Sequence, residues 1–254
     1  MKYILEAKKI NKVYEINKGN TQQVLRDVDI SIGEGEFIFV MGPSGSGKST
    51  LLYNISGMDT ATSGSIWFNN AELTAMSEDE LSALRLQKMG FIFQQSNLLK
   101  NLNILDNIIF SAFMAKSESR QAIVRRAKKL MNQTGISALA GNDITQASGG
   151  QLQRAAICRA LINNPDIVFG DEPTGALNSK ATGEVMDILA EINRTGTTIM
   201  IVTHDAKVAA KTDRVLIMAD GVIAGEKRLG KYQTNSNIKT REGQLSAWLS
   251  QMGF

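Results

Sequence analysis

The sequence predicts an α/β fold built on a parallel sheet, and three observations carry that prediction. The apolar run Phe37-Ile38-Phe39-Val40-Met41 leads directly into Gly42-Pro43-Ser44-Gly45-Ser46-Gly47-Lys48-Ser49, which meets the phosphate-loop pattern G-x-x-x-x-G-K-[ST] at every fixed position. Ser49 to Ile55 then suits a helix whose N-terminus faces the glycines. Later, the strand-like segments Asp166 to Gly170 and Thr197 to Val202 flank a helical Ala181 to Asn193. Strand, helix and strand in succession imply parallel pairing.

The remaining elements follow from periodicity and turn chemistry. Ile30-Ser31-Ile32 before Gly33-Glu34-Gly35, and Ser65 to Phe68 before Asn69-Asn70, read as strands. Asparagines tolerate the left-handed backbone of a tight hairpin, so this region is expected to form an antiparallel sheet beside the core. Ser77 to about Gln87 and Glu118 to about Thr134 turn helical. The second places Ile123, Ala127, Leu130 and Met131 on one side and Arg120, Arg125, Arg126, Lys128 and Lys129 on the other, a solvated face with no assigned chemistry. Ala219-Asp220-Gly221-Val222 reads as a hairpin, and Lys231 to Asn237 as a polar linker. In a tail helix, Leu245, Trp248, Leu249 and Met252 recur at i, i+3, i+4 and i+7, a stripe expected to dock on the parent domain, with a partner subunit or a membrane surface as the alternatives. The expected division is a nucleotide-binding domain over 1–230, with a helical subdomain at about 96–160, and a linker with an amphipathic helix over 231–254.

Bulk properties bound the function. With 254 residues and 43% hydrophobic content the chain fills a sizeable core. A net charge of +3 is too small to argue for nucleic acid as the main partner, which calls for a concentrated basic stripe, and no nucleic acid is expected. The single cysteine, Cys158, excludes an internal disulfide and reads as a small core residue in a reducing compartment. A charge interrupts any apolar leader, and no stretch approaches the ~20 apolar residues of a membrane span, so a cytoplasmic chain is expected.

The phosphate loop calls for a nucleoside triphosphate. Within the loop Gly42, Pro43, Ser44, Gly45, Ser46 and Gly47, the glycines let backbone N–H groups turn inward and wrap the phosphates, and Lys48 reaches the terminal ones. Ser49 offers a hydroxyl to a magnesium ion, and Thr50 continues the helix start. Asp171 and Glu172 close an apolar strand at the carboxyl edge of the predicted sheet, where parallel sheets bind ligands. Asp171 can hold the metal through water, and Glu172 can orient and deprotonate the water that attacks the γ-phosphate. Alone, an acidic pair ending a strand is commonplace; the upstream loop gives it weight.

Ser148-Gly149-Gly150-Gln151, followed by Leu152-Gln153-Arg154, resembles the signature motif of ATP-binding cassette (ABC) proteins. With Gln94 after the strand-like Gly90 to Phe93, and His204 after Ile201-Val202-Thr203, the family's motifs stand in the family's order from about Tyr3 to Val222. The resemblance implies a RecA-like P-loop NTPase core with antiparallel and helical subdomains. It implies that Ser148, Gly149, Gly150 and Gln151 bind the γ-phosphate held by a second copy, so that two chains share two composite ATP sites. It further implies that His204 senses the γ-phosphate, that Gln94 touches metal and attacking water, and that Tyr14 stacks on adenine. Independently of the family, Ser148 followed by two glycines is a helix start able to bind an anion and capped by its own hydroxyl. Two departures stand out. Ala147 replaces the leucine usual before the signature serine, and Asn178 replaces an aspartate, keeping size and hydrogen bonding while losing a charge.

The resemblance therefore implies an ATP-hydrolysing homodimer, using ATP and Mg2+, bound at the cytoplasmic face of the membrane to an integral permease. The groove around Gln94 to Leu98 is the expected contact. Asp171 to Leu177 and Phe93 to Leu99 look like the branch serving macrolide export, lipoprotein release and bacitracin-type resistance. Antimicrobial peptide export or resistance leads among the cargo expectations, with lipoprotein-release and cell-division types as alternatives. A soluble cassette of DNA repair or chromosome organisation would carry long coiled coils between loop and signature, and a translation-type member two cassettes; neither feature is present. A non-hydrolysing regulatory cassette is disfavoured by intact Lys48, Gln94, Glu172 and His204.

Overall fold

Alternation along β3 (Phe37–Met41) decides the layering, because successive side chains of a strand point to opposite faces. Ile38 and Val40 enter one core, whereas Phe37, Phe39 and Met41 enter another. The computed structural model describes residues 2–17, 19–232 and 238–253. The same split recurs in β7 (Ile167–Asp171), β8 (Thr198–Val202) and β9 (Arg214–Ala219), so these central strands are buried on both faces. Its order is β10-β9-β3-β8-β7-β6, with β6 over Met89–Phe93 and β10 over Val222–Arg228. Only the β9–β10 pairing is antiparallel.

The first core is closed by α1 (Lys48–Ile55) and an antiparallel sheet of order β2-β1-β4-β5. Its strands are β1 (Tyr3–Asn17), β2 (Asn20–Gly33), β4 (Ser63–Phe68) and β5 (Ala71–Glu72). Asn69 and Asn70 have φ of 48° and 65°, as the predicted hairpin requires. The sequence reading places only Ile30 to Ile32 of the long β1–β2 ribbon in a strand. Register shifts between Ala7 and Ile10, and again up to Val13, break the two-residue alternation by which a strand is recognised.

The second core lies under α5 (Gly149–Leu161), α6 (Ser179–Arg194), the short α7 (Ala206–Ala209) and the tail helix α8 (Ile238–Gln251). Leu245 and Leu249 are buried there and Trp248 and Met252 pack alongside, so the predicted stripe docks on its own domain. Gly225 makes room, since a Cβ there would lie 2.8 Å from Met252 Cε. Arg241 anchors the helix by donating to the carbonyls of Ala210, Thr212, Leu229 and Gly230 at 2.7–3.0 Å. Of the predicted linker, Gln233 to Asn237 lie outside the described residues.

A third core joins α5 to α3 (Ile104–Ala115) and α4 (Arg120–Gln133). Cys158 is buried in it, 3.2 Å from Thr134 Oγ1, and burial pushes its thiol up to about 12. The helix α2 (Glu78–Lys88) starts at a reciprocal box between Ser77 and Glu80. No described helix is long and apolar enough to cross a membrane.

Candidate nucleotide site

β3 delivers the chain to Gly42, whose φ is 149° and whose Cβ, if present, would lie 2.1 Å from the Met218 carbonyl oxygen. Neighbouring β9 therefore dictates glycine at the loop's entry. Gly45 and Gly47 take φ of 81° and 98°. Gly47 caps α1 with no side-chain acceptor, leaving the first-turn N–H groups and the positive end of the helix dipole available to an anion. Lys48 Nζ donates to the carbonyls of Gly42 and Pro43, each at 2.9 Å. Burial pulls its pKa down, while the Glu172 and Asp171 carboxylates push it back up.

Asp171 ends β7 between β6 and β8. Its Oδ1 accepts from Ser49 Oγ at 2.8 Å and its Oδ2 from the Tyr53 phenol at 2.5 Å. Ser49 and Asp171 offer the hard oxygen donors that suit magnesium, beside a helix N-terminus that suits the phosphates. No cluster of three or more His, Cys, Asp or Glu side chains forms among the described residues. Such a donor set matches an ion that is completed by phosphate and water rather than by a protein cage.

Glu172 follows with φ of 48°, and its N–H donates to the Val202 carbonyl at 2.9 Å. This left-handed residue turns the chain so that its carboxylate lies 3.0 Å from Nδ1 of the exposed His204. Gln94, one residue beyond β6, reaches the same place. A Cβ at Gly175 would lie 2.9 Å from Gln94 Nε2 and 3.1 Å from Glu172 Oε2. Gln153 Nε2 donates to the Phe93 carbonyl at 2.9 Å, tying α5 to the residue before Gln94. Arg159 likewise donates to the Ser96 and Asn97 carbonyls at 2.7 Å. Together these groups can orient water beside a phosphate.

The signature stands apart from that cluster. Ser148 is exposed and caps α5 reciprocally with Gln151: Ser148 N–H donates to Gln151 Oε1 at 2.8 Å, and Gln151 N–H to Ser148 Oγ at 3.4 Å. Cβ positions at Gly149 and Gly150 would lie 3.8 Å from Leu177 Cδ2 and 3.2 Å from Ala181 Cβ. Asn178 Oδ1 accepts from Ala181 N at 2.9 Å, so it keeps the capping function of an aspartate. Ala147 packs against the third core.

Tyr14 is exposed on β1 and donates to Asp59 Oδ2 at 2.7 Å. The sequence reading gives Tyr53, Asp59 and Lys12 no site role. Tyr53 lies one helical turn beyond Ser49 on α1, a spacing that puts both on one face and is the available signal for it.

A family model described as "ABC transporter" matches residues 25–175. Macrolide export ATP-binding/permease protein MacB of Aggregatibacter actinomycetemcomitans is 42% identical over 236 residues, covering 93% of this chain and 36% of the relative. MacB of Agrobacterium fabrum is 42% identical over 226 residues, covering 89% and 35%. The chain thus spans about a third of the length of these curated relatives. Among solved structures, the dimeric post-hydrolysis state of the ATP-binding cassette MJ0796 bound to ADP and Pi aligns with TM-score 0.82 and 36% identity, covering 90% of this chain and 100% of that one. CbiO1 of Clostridium perfringens, part of the ABC transporter complex cbiONQ, aligns with TM-score 0.79 and 29% identity, covering 90% and 89%.

Proposed function

The chain belongs to the ABC transporter family as an ATPase cassette, and on that premise we propose that two copies close on two ATP molecules to drive a membrane permease. One observation carries the reading: Ser49 meets Asp171 at 2.8 Å and Glu172 meets His204 at 3.0 Å around a single phosphate loop. Lys48 and the α1 N-terminus bind the β- and γ-phosphates. Glu172 takes the proton of the attacking water, Gln94 orients that water, and His204 bonds a γ-phosphate oxygen. Ser49, Gln94 and Asp171 would hold magnesium, which would supply charge neutralisation to the phosphates. Ser148, exposed at a helix start, supplies donors to the γ-phosphate of the other copy; the dimeric MJ0796 cassette supports that pairing.

The permease contact is a groove of about 460 Å³ lined by Met89, Phe91, Phe93, Asn97, Ser111 and Arg159, among others. Exposed Leu99, Phe110 and Met114 extend the region's apolar surface. Leu98 is no part of this surface, being only 9% exposed against 44% for Leu99. The cargo is an antimicrobial compound, peptide or macrolide, a reading supported by the MacB relatives over lipoprotein release or cell division. The docked permease holds the chain at the cytoplasmic face of the membrane.

The test is Glu172→Gln. ATP binding persists, turnover falls about 100- to 1,000-fold, as for loss of a base or electrostatic contribution, and a nucleotide-filled dimer accumulates. Wild-type turnover would remove Glu172 from its role.

A further inference from the structure

Lys12, Tyr14 and Asp59 form a cluster that the hydrolytic chemistry leaves unused. Lys12 and Tyr14 are two residues apart on β1, and Asp59 follows the C-terminus of α1. Tyr14 OH donates to Asp59 Oδ2 at 2.7 Å; Lys12 Nζ donates to Asp59 Oδ1 and to the Thr60 carbonyl, both at 2.7 Å. Thr60 N–H adds a third bond to the carboxylate at 2.8 Å. The same ammonium stands 4.7 Å from the centroid of the Tyr14 ring. Lys12 is buried, yet Tyr14 remains 38% exposed. Burial acts to raise the pKa of Asp59, but the bonds from Lys12 and Tyr14 outweigh it and hold the carboxyl below its ordinary value. Burial, and then the Asp59 carboxylate, raise the pKa of the Tyr14 phenol, and the Thr50 hydroxyl of α1 acts in the opposite direction.

An exposed tyrosine ordinarily samples several rotamers and gives up that freedom when a ligand stacks on it. Here the phenol is pinned at its far end, and a cation interacts with the ring. We propose that Lys12 and Asp59 are positioning residues that hold the Tyr14 ring ready for the base of a purine nucleoside triphosphate. The proposal rests on the reading that Tyr14 receives the base, and it adds that the receiving surface is preorganised by an ion pair outside the phosphate site.

The test compares MgATP with magnesium tripolyphosphate, which presents the phosphates without a base, by calorimetric titration of the full chain. Asp59→Asn and Tyr14→Phe each weaken ATP about threefold to tenfold, the scale of one ordered side chain, and leave tripolyphosphate within twofold. Tyr14→Ala weakens ATP further. If Tyr14→Ala weakens ATP while Asp59→Asn and Tyr14→Phe bind it as wild type, the base reading stands and the tether is overturned. If Tyr14→Ala leaves ATP binding intact, the base reading falls and the tether with it. Equal losses for both ligands would make the cluster merely structural and overturn the proposal. Tyr14→Phe keeps the ring and its packing, so the answer does not depend on Asp59→Asn folding.

Discussion

The phenol of Tyr53 donates to Asp171 Oδ2 at 2.5 Å while Ser49 occupies Oδ1 at 2.8 Å, so both oxygens of one carboxylate are oriented by a single face of α1. Burial, and then the bond to Asp171, push the Tyr53 phenol up to about 12. A pKa raised on folding stabilises the protein fully below the unfolded value of 10.0 and ceases to do so as pH climbs through the folded one. Wild type is therefore expected to lose stability between these values, and Tyr53→Phe to lose less of it. Denaturant titrations at successive alkaline pH values, with tyrosinate absorbance followed in parallel, check this; identical slopes for the two chains would contradict it.

Ser148→Arg places a long cation on the exposed start of α5 and removes the hydroxyl cap, at a stability cost of about 0.5–2 kcal/mol. Nucleotide binding by the single chain persists, because the phosphate loop lies elsewhere. Turnover falls about 100-fold, the order seen for loss of one oxyanion donor. Equilibrium binding beside steady-state hydrolysis separates the two, and full turnover would detach the signature from catalysis.

Gly42→Ala and Gly45→Ala differ in what the new methyl meets. At Gly42 it collides with the Met218 carbonyl, whereas at Gly45 nothing lies within 4 Å and the positive φ alone resists. Gly42→Ala is expected to cost about 1–3 kcal/mol more than Gly45→Ala, the scale of overpacking. Thermal unfolding of the pair measures the difference, and equal midpoints would refute it.

Leu98→Glu and Leu99→Glu likewise part company. The first forces a charge into the third core and is expected to unfold the helical region; the second changes stability by no more than about 0.5 kcal/mol, as for an ordinary surface site. Co-purification of a membrane protein from cells expressing Leu99→Glu should fall sharply. Undiminished recovery would take Leu99 out of the docking surface.

Legibility followed the range of the interactions. The β3–loop–α1 unit, the Asn69-Asn70 hairpin and the Ser148 cap are written within a few residues each, and the structure repeats them with φ values and bonds to match. β1 was illegible because Lys9, at φ 49°, and the register shifts around it break the alternation. α3 was missed because Ile104 to Ala115 is apolar on nearly every side and shows weak periodicity. At the site, motif residues were readable, but Tyr53 reaches Asp171 across 118 positions and Asp59 reaches Lys12 across 47. Such contacts belong to the fold rather than to any local pattern.

Arg241 ties α8 to the backbone just beyond His204. Because one guanidinium serves the carbonyls of Ala210, Thr212, Leu229 and Gly230, detaching the helix strands four acceptors at once. The tail and the segment 206–212 therefore open as one cooperative unit in amide exchange. Strain applied at α8 is thereby passed to backbone a few residues from the imidazole.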